Sequence, residues 1–309
     1  MKTDLTAGLI GVLKAEYGLM EPVLDIPGDG IEGSTFIVTD GKQKYAAKLY
    51  HDNLRAETVS KFQDCLFAAQ LSVPAVLPTK AGRLTVRLQD HTVVLSEFVS
   101  GRPIGWGKEF ATLSGPLTVD LASAVANMHI ISQAMSTEPK LDHSLSVAQL
   151  LDRSDSDSKL ELSASRLARV RKAMIHGDLA RENIFLAESD SSIKSIIDFG
   201  DAHYDYITYD VATLLTQVYV TKSWGVDFQG IEEFLTLYRR LNQLQHDELQ
   251  TILPLMELRN RGLLQEIEQR LNEGNTDIET LESIRQSLRA KLRLMEEHSQ
   301  QLEDLILED

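Results

Sequence analysis

The sequence predicts a two-lobed α+β fold, a small antiparallel-sheet lobe followed by a larger, mainly helical one. Three observations predict it. Short alternating or β-branched runs, STFIVTD, QKYAAKLY, GRLTVRL and HTVVLSEFV, crowd the first hundred residues and read as strands. From Leu117 the apolar period changes to that of a helix, through Leu121, Val125, Met128 and Ile131. The length, 309 residues of which 43% are apolar and 25% charged, suffices for two lobes and excludes a disordered chain or a disulfide-stapled mini-domain.

Taken in order, Asp40-Gly41 between the first two runs is a short hairpin signal. A helix-like stretch follows near residues 55 to 70. The break near Ser100-Gly101-Arg102-Pro103 separates a lobe of residues 1–99 from one of residues 100–309. In the second lobe the exceptions to helix are IFLAES and IKSIIDF, read as strands, and the solvated SDSDS at 154 to 158. From Asp277, the residues Ile278, Leu281, Ile284, Leu288, Leu292 and Met295 share one helical face. That face either packs on the larger lobe or forms a dimer, so the chain is expected as a monomer or homodimer.

Composition narrows the setting. One cysteine, Cys65, allows no internal disulfide and no Cys-rich zinc site, which fits a reducing cytoplasm; Cys65 itself reads as a buried apolar filler. The first twenty residues are interrupted by Asp4, Lys14 and Glu16 and lack a signal-peptide pattern. No run approaches the roughly 18 apolar residues of a membrane span. A net charge of −15 repels phosphate backbones and anionic lipid, so neither nucleic acid nor membrane is an expected partner. The same charge either favours a cationic small substrate or merely keeps the chain soluble.

The most informative segment is IHGDLARENIFLAESDSSIKSIIDFGDAHYDYITYD, Ile175 to Asp210. Asp178 and Asn183 stand five apart, and Asp198 ends the apolar run that would pair with IFL, bringing Asn183 and Asp198 together. Phosphoryl transfer needs a carboxylate at the attacking hydroxyl and hard oxygen ligands for magnesium. Asp178 suits the first task; the Asn183 amide oxygen and the Asp198 carboxylate suit the second. A match to HGDxxxxN arises by chance in on the order of one such chain per thousand.

This segment resembles the catalytic loop and metal motif of the aminoglycoside phosphotransferase and choline kinase-like superfamily, which has a protein-kinase-like fold. LASAVANMH at 121 to 129 is similar to the helix preceding that loop, and IDFGDAHYDYITYDVA to the family's IDxxxAxxGDPxxDLA. IEEFLTLYRRLNQLQHDELQ resembles a tyrosine-containing helix and an acidic helix start common in these enzymes. The likeness covers about Ile31 to Gly262. It implies that ATP and Mg2+ bind between the lobes, that Asp178 serves the acceptor hydroxyl, and that Asn183 and Asp198 hold the metal. His176 then supports the loop main chain rather than acting as a base, and Asp210 braces the loop. His129 reads as structural.

In the first lobe, Lys48 in KYAAKLY is the cation for the α and β phosphates. Its carboxylate partner is taken as Glu57, with Gln63 and Asp64 as the other choices of register. Gly28, Gly30 and Gly33 spell GxGxxG; because the turn runs into a strand rather than a helix, it suits a hairpin over phosphates, with Ser34 or Thr35 adding a donor, better than a dinucleotide site. LSEFVSGRPI resembles the segment joining the lobes, so the main chain of Glu97, Phe98 and Val99 would meet the adenine.

The acceptor is expected to be small. Gly177 stands where regulated protein kinases carry an arginine, no Ala-Pro-Glu follows, and Asp198 and Asp210 lie only 12 positions apart. IIDFGDAHY with YDVA resembles the hydroxylysine kinase and type II homoserine kinase branches, which implies a hydroxyl on an amino alcohol or hydroxy amino acid. Asp205-Tyr206-Ile207 replaces the common GDP tripeptide, which weakens the case for an aminoglycoside acceptor. Asp201, His203 and Asp205 either line the acceptor pocket or sit in a solvated loop. The remaining rivals are a catalytically idle nucleotide-binding module, opposed by the intact Lys48, Asp178, Asn183 and Asp198, and a nucleotide-dependent oxidoreductase.

Overall fold

The computed structural model describes residues 2–25, 34–104, 113, 115–135, 143–154, 162–187, 192–274 and 277–308. The chain forms two compact units, Met1–Gly101 with Ser195–Ile197, and Arg102–Lys194 with Asp198–Asp309.

The first unit holds β1 (Val23–Asp25), β2 (Ser34–Asp40), β3 (Gln43–Tyr50), β4 (Val86–Leu88) and β5 (His91–Glu97). They form one antiparallel sheet in the order β1-β2-β3-β5-β4. Asp40 opposes Gln43, so Gly41 and Lys42 make a two-residue turn in which Gly41 takes φ 62°. A positive φ at the first central residue is the II′ geometry that matches strand twist. Alternation sends Phe36, Val38, Ala47, Leu49, Val93 and Leu95 to one face, where Leu9 of α1 (Lys2–Val12) and Leu13 close the core. Lys48 stands on the other face.

Helix α2 (Asn53–Ala68) starts where the Asp52 carboxylate accepts from the N–H groups of Leu54 and Arg55. It buries Ala56, Val59, Phe62 and Leu66. Cys65 lies one position off that stripe and is half-buried, not the buried filler its residue type suggested.

The second unit is mainly helical. Helix α3 (Gly115–Gln133) buries Leu117, Leu121, Val125 and Met128 with the predicted period. After α4 (Val147–Arg153) and the short α5 (Ala164–Leu167), β7 (Lys172–Ile175) pairs antiparallel with β10 (His203–Tyr206). That pairing was not legible in KAMI, which is short and has neither the β-branched nor the aromatic enrichment of a strand. Strand β8 (Ile184–Leu186) lies between β6 (Arg102–Pro103) and β9 (Ile193–Ile196), as the two predicted runs require.

The remaining helices are α6 (Ile207–Leu214), α7 (Phe228–Leu241), α8 (His246–Asn272), α9 (Ile278–Glu297) and α10 (Ser299–Leu307). Leu281 and Leu288 of α9 pack with Ile267 of α8, so the C-terminal apolar face is covered within its own unit. Ile278 departs from that face, being 59% exposed in the first turn. Among the described residues no helix is long and apolar enough to cross a membrane.

Candidate active site

The site is built around the turn that follows β7. Gly177 takes φ 82°, and a Cβ there would meet the Asp201 carbonyl oxygen at 2.4 Å. Only glycine allows the turn to press so closely on the segment after Asp198. The loop is tied from behind by Asp210, on α6 and fully buried: His176 N–H donates to Oδ2 at 2.7 Å and Gly177 N–H to Oδ1 at 2.8 Å. His129 Nε2 lies 3.2 Å from Oδ2, and its Nδ1 is 2.7 Å from Tyr238 Oη. With Asp210 ionised, His129 donates through Nε2 and accepts the Tyr238 hydroxyl at Nδ1. Burial alone would raise the Asp210 carboxyl, but its hydrogen bond to His129, the neighbouring imidazoles and the His176 N–H hold it below its ordinary value. His176 is itself buried, and its Nδ1 accepts the Asp178 N–H at 3.3 Å.

In front of this brace Asp178 is one-third exposed. Asn183 Nδ2 donates to Asp178 Oδ2 and to its carbonyl oxygen, both at 3.0 Å. The Asn183 amide oxygen is left without a partner among the described residues. Arg259 Nη2 donates to Asp178 Oδ1 at 2.7 Å. Asn183 closes a 3-10 turn just before β8, and Asp198 follows β9, so the hairpin's open end carries both. Asp198 adopts φ 63° and ψ 67°, and its carboxylate accepts the Gly200 N–H at 3.3 Å. A non-glycine residue in the left-handed region costs about 1–2 kcal/mol. Such strain collects at functional positions, and the amide oxygen and carboxylate are the hard donors that a magnesium ion shared with phosphates takes.

Asp201, His203 and Asp205 do not form a solvated loop. His203 and Asp205 are buried on β10, where Asp205 accepts the N–H groups of Val147, at the start of α4, and Tyr206. His203 donates from Nδ1 to the Asp201 carbonyl at 2.7 Å and stacks on His143 at 4.5 Å. His143 accepts the Leu145 N–H, which leaves its Nε2 to donate to Asp201 Oδ1 at 3.2 Å.

In the first unit, Lys48 opposes Thr35 on β2 and Val94 on β5, with Nζ 5.6 Å from the Tyr50 ring centre. Thr92, on the same sheet face, donates to Asn53 Oδ1, so α2 lies on the Lys48 side. Glu57 on α2 accepts from Asn53 Nδ2 at 2.8 Å, and Gln63 is buried and donates to the Pro74 carbonyl. Glu97 ends β5, its N–H donating to Ala75 O. Among the described residues nothing hydrogen-bonds the main chain of half-buried Val99. Ser34 opens β2 opposite Leu49. Gly28, Gly30 and Gly33 lie outside the described residues.

Residues 24–244 match the model of the phosphotransferase enzyme family. The chain belongs to that family. A homoserine kinase of Methylobacillus flagellatus is 26% identical to this phosphotransferase over 252 residues, covering 75% of each chain. One of Rhizobium meliloti is 25% identical over 277 residues, covering 82% of this chain and 81% of its own. Among solved structures, an amicoumacin kinase in complex with AMP-PNP and Ca2+ superposes with a TM-score of 0.70 at 18% identity, over 96% of both chains. A microcompartment-associated aminopropanol kinase gives 0.70 at 18% identity, over 96% of this chain and 98% of its own. The phosphotransferase thus has the protein-kinase-like fold and is an enzyme that phosphorylates a hydroxyl of a small molecule.

The sequence reading missed Arg259. Its signal was present: Ile252, Leu255 and Met256 are buried on α8, and a charged residue three and seven positions on continues their apolar stripe.

Proposed function

We propose that this phosphotransferase moves the γ-phosphate of ATP to the hydroxyl of an amino alcohol, a hydroxy amino acid or a similar amine-bearing metabolite in the cytoplasm. The observation that carries the reading is the Asp178–Asn183 contact, in which one amide nitrogen aligns the carboxylate while the amide oxygen stays open. The homoserine kinase relatives support an amine-bearing hydroxyl acceptor, and the AMP-PNP and Ca2+ of the amicoumacin kinase support a nucleotide donor with a divalent ion.

In the transfer the acceptor O–H bond breaks and its proton passes to the Asp178 carboxylate. The acceptor oxygen bonds the γ-phosphorus as the bond to the β,γ-bridging oxygen breaks, releasing ADP. Asn183 and Asp198 would hold magnesium, which when bound offsets the charge of the triphosphate. Lys48 holds the α and β phosphates and Glu57 orients it, while Gly30, Gly33 and Ser34 cover the phosphates. The Glu97 and Val99 main chain meets the adenine, and His176 and Asp210 keep the loop in place. Asp201, His203 and Asp205 shape the acceptor pocket.

The test is ADP release from Mg-ATP with amino alcohols, hydroxy amino acids, choline, sugars and aminoglycosides. Replacing Asp178 by Asn should cut turnover by about a thousandfold with nucleotide affinity nearly unchanged. Near-normal turnover in that variant would remove Asp178 from its role. A response to aminoglycosides alone would refute the acceptor class.

A further inference from the structure

Arg259 is only 3% exposed on its side chain, yet it makes one hydrogen bond, from Nη2 to Asp178. Its Nε and Nη1 are buried and have no hydrogen-bond partner among the described residues. Guanidinium does not deprotonate in proteins, so burial cannot silence these donors, and leaving them unpaired costs free energy. Because the fork is planar, the idle Nη1 is bonded to the same carbon as the nitrogen that holds Asp178.

Several other buried polar atoms of the same unit also lack a hydrogen-bond partner among the described residues, including Tyr209 Oη, Thr213 Oγ1, Asn260 Oδ1 and Arg285 Nε. Tyr209 Oη is fully buried without a partner among the described residues, and its hydroxyl is within the electrostatic reach of both Arg259 and Asp178. His203 Nε2 makes no hydrogen bond among the described residues but faces Asp205 Oδ2 at 3.4 Å, its ring centre lying 6.1 Å from that of Tyr209. The charges near Arg259 do not call for another cation: Lys291 and Arg181 are close enough to influence one another electrostatically, with Asp178 and Glu182 as the acidic counterparts. A buried cation with idle donors beside an acceptor-binding carboxylate is completed by an anionic oxygen.

We propose that Arg259 receives the carboxylate of the acceptor, which makes the acceptor a hydroxy amino acid rather than an amino alcohol or an aminoglycoside. This rests on the proposed transfer to an amine-bearing acceptor and selects within it. The acceptor hydroxyl then reaches Asp178 while its carboxylate occupies the Arg259 donors alongside. The other oxyanion that could meet Arg259 is the transferring phosphoryl group, and the two sources are separable because only one depends on the acceptor's structure.

L-homoserine and 3-amino-1-propanol differ only by the carboxylate, as do L-serine and ethanolamine. With Mg-ATP and the full chain, the wild type should favour the acid of the better pair by at least roughly 100-fold in kcat/KM. Arg259→Met should raise KM for the acid and erase that preference, the loss in kcat/KM on the acid exceeding any loss on the amine by at least roughly tenfold; Arg259→Lys should restore part of it. Preference of the wild type for the amine overturns the proposal. So does an equal loss on acid and amine through kcat, accompanied by an equal loss of acceptor-free ATP hydrolysis, which assigns Arg259 to the phosphoryl group or to holding Asp178. If the wild type binds ATP but turns over neither pair, the acceptor class of the proposed function fails, and titration calorimetry decides the Arg259 assignment separately. Acid binding that is lost in Arg259→Met and retained in Arg259→Lys sustains it; no acid binding by the wild type refutes it. Thermal unfolding of both variants confirms that they are folded.

Discussion

Two arginine–carboxylate pairs of the second unit differ in how completely the arginine is used. Arg171 donates from Nε and Nη2 to both oxygens of Glu248, from Nη1 to Asn242 Oδ1, and from Nη2 to the Gln243 carbonyl. Its Glu248 is fully buried and also caps α8 through the Gln245 N–H. Arg259 is the more buried arginine yet makes one bond among the described residues, to a carboxylate that remains one-third exposed. A saturated fork fastens a helix start to a strand start; an unsaturated one beside Asp178 is the arrangement that our proposal assigns to acceptor binding. The more deeply buried cation is the one left incomplete, which separates a fastening from a binding group.

That comparison can be broken by stability measurements. Arg171→Met strands the Glu248 carboxylate in the interior and should cost about 2–3 kcal/mol, less than a fully buried pair because Arg171 is 35% exposed. Turnover per folded molecule should stay within a few-fold. Burial alone would raise the Glu248 carboxyl, but hydrogen bonds from Arg171 and from the Gln245 and Arg171 N–H groups hold it below its ordinary 4.5. The pair's stabilisation is therefore present above pH 4.5 and lost as pH falls through the lower, folded value. Urea unfolding at a series of pH values reads both effects, and a loss below about 0.5 kcal/mol in Arg171→Met would erase the distinction.

Arg259→Met should change stability by less than about 1 kcal/mol in either direction, since it removes two unsatisfied donors and leaves Asp178 partly in water. A loss as large as that of Arg171→Met would make Arg259 a fastening as well.

Lys291 on α9 donates to Gln217 Oε1 at 2.5 Å and reports on the charge of Arg259. Burial, then the charge of Arg259, lowers this ammonium from 10.5 to about 8. Between those values the unfolded chain binds more protons than the folded one, so stability rises with pH from about 8 to 10.5 and is flat below. The rise should be roughly 1–3 kcal/mol in the wild type and absent in Lys291→Met. In Arg259→Met it should begin at higher pH. Unfolding followed across pH 7 to 10 gives the three curves, and a slope surviving in Lys291→Met assigns it to another group.

Local grammar carried much of the architecture. Alternation in STFIVTD and KYAAKLY, the Asp40-Gly41 turn and the period running from Leu117 to Met128 are short-range signals, and the sheet and α3 follow them. The motif from His176 to Asp210 was legible because its residue types and spacing are uncommon together. The burial of Arg259 was signalled by its place on the apolar stripe of α8, but its partner was not, because Asp178 lies some eighty residues earlier and no spacing rule ties one arginine in an amphipathic helix to a distant loop. The same holds for the pairing of KAMI with HYDY, which is set by the register of β7 against β10 rather than by propensity.

By itself, then, the sequence determined the fold class, the succession of strands and helices, and which carboxylates and amide could serve a phosphoryl transfer. The tertiary structure decided which cation meets Asp178, that Asp210 is wholly buried beneath the loop, and that His203 and Asp205 are interior groups rather than loop residues. The physical reason is range. Hydrogen-bonding turns and apolar periods act over a few residues and leave a written pattern, whereas the pairing of a buried donor is settled only when distant helices pack and exclude water from what remains between them.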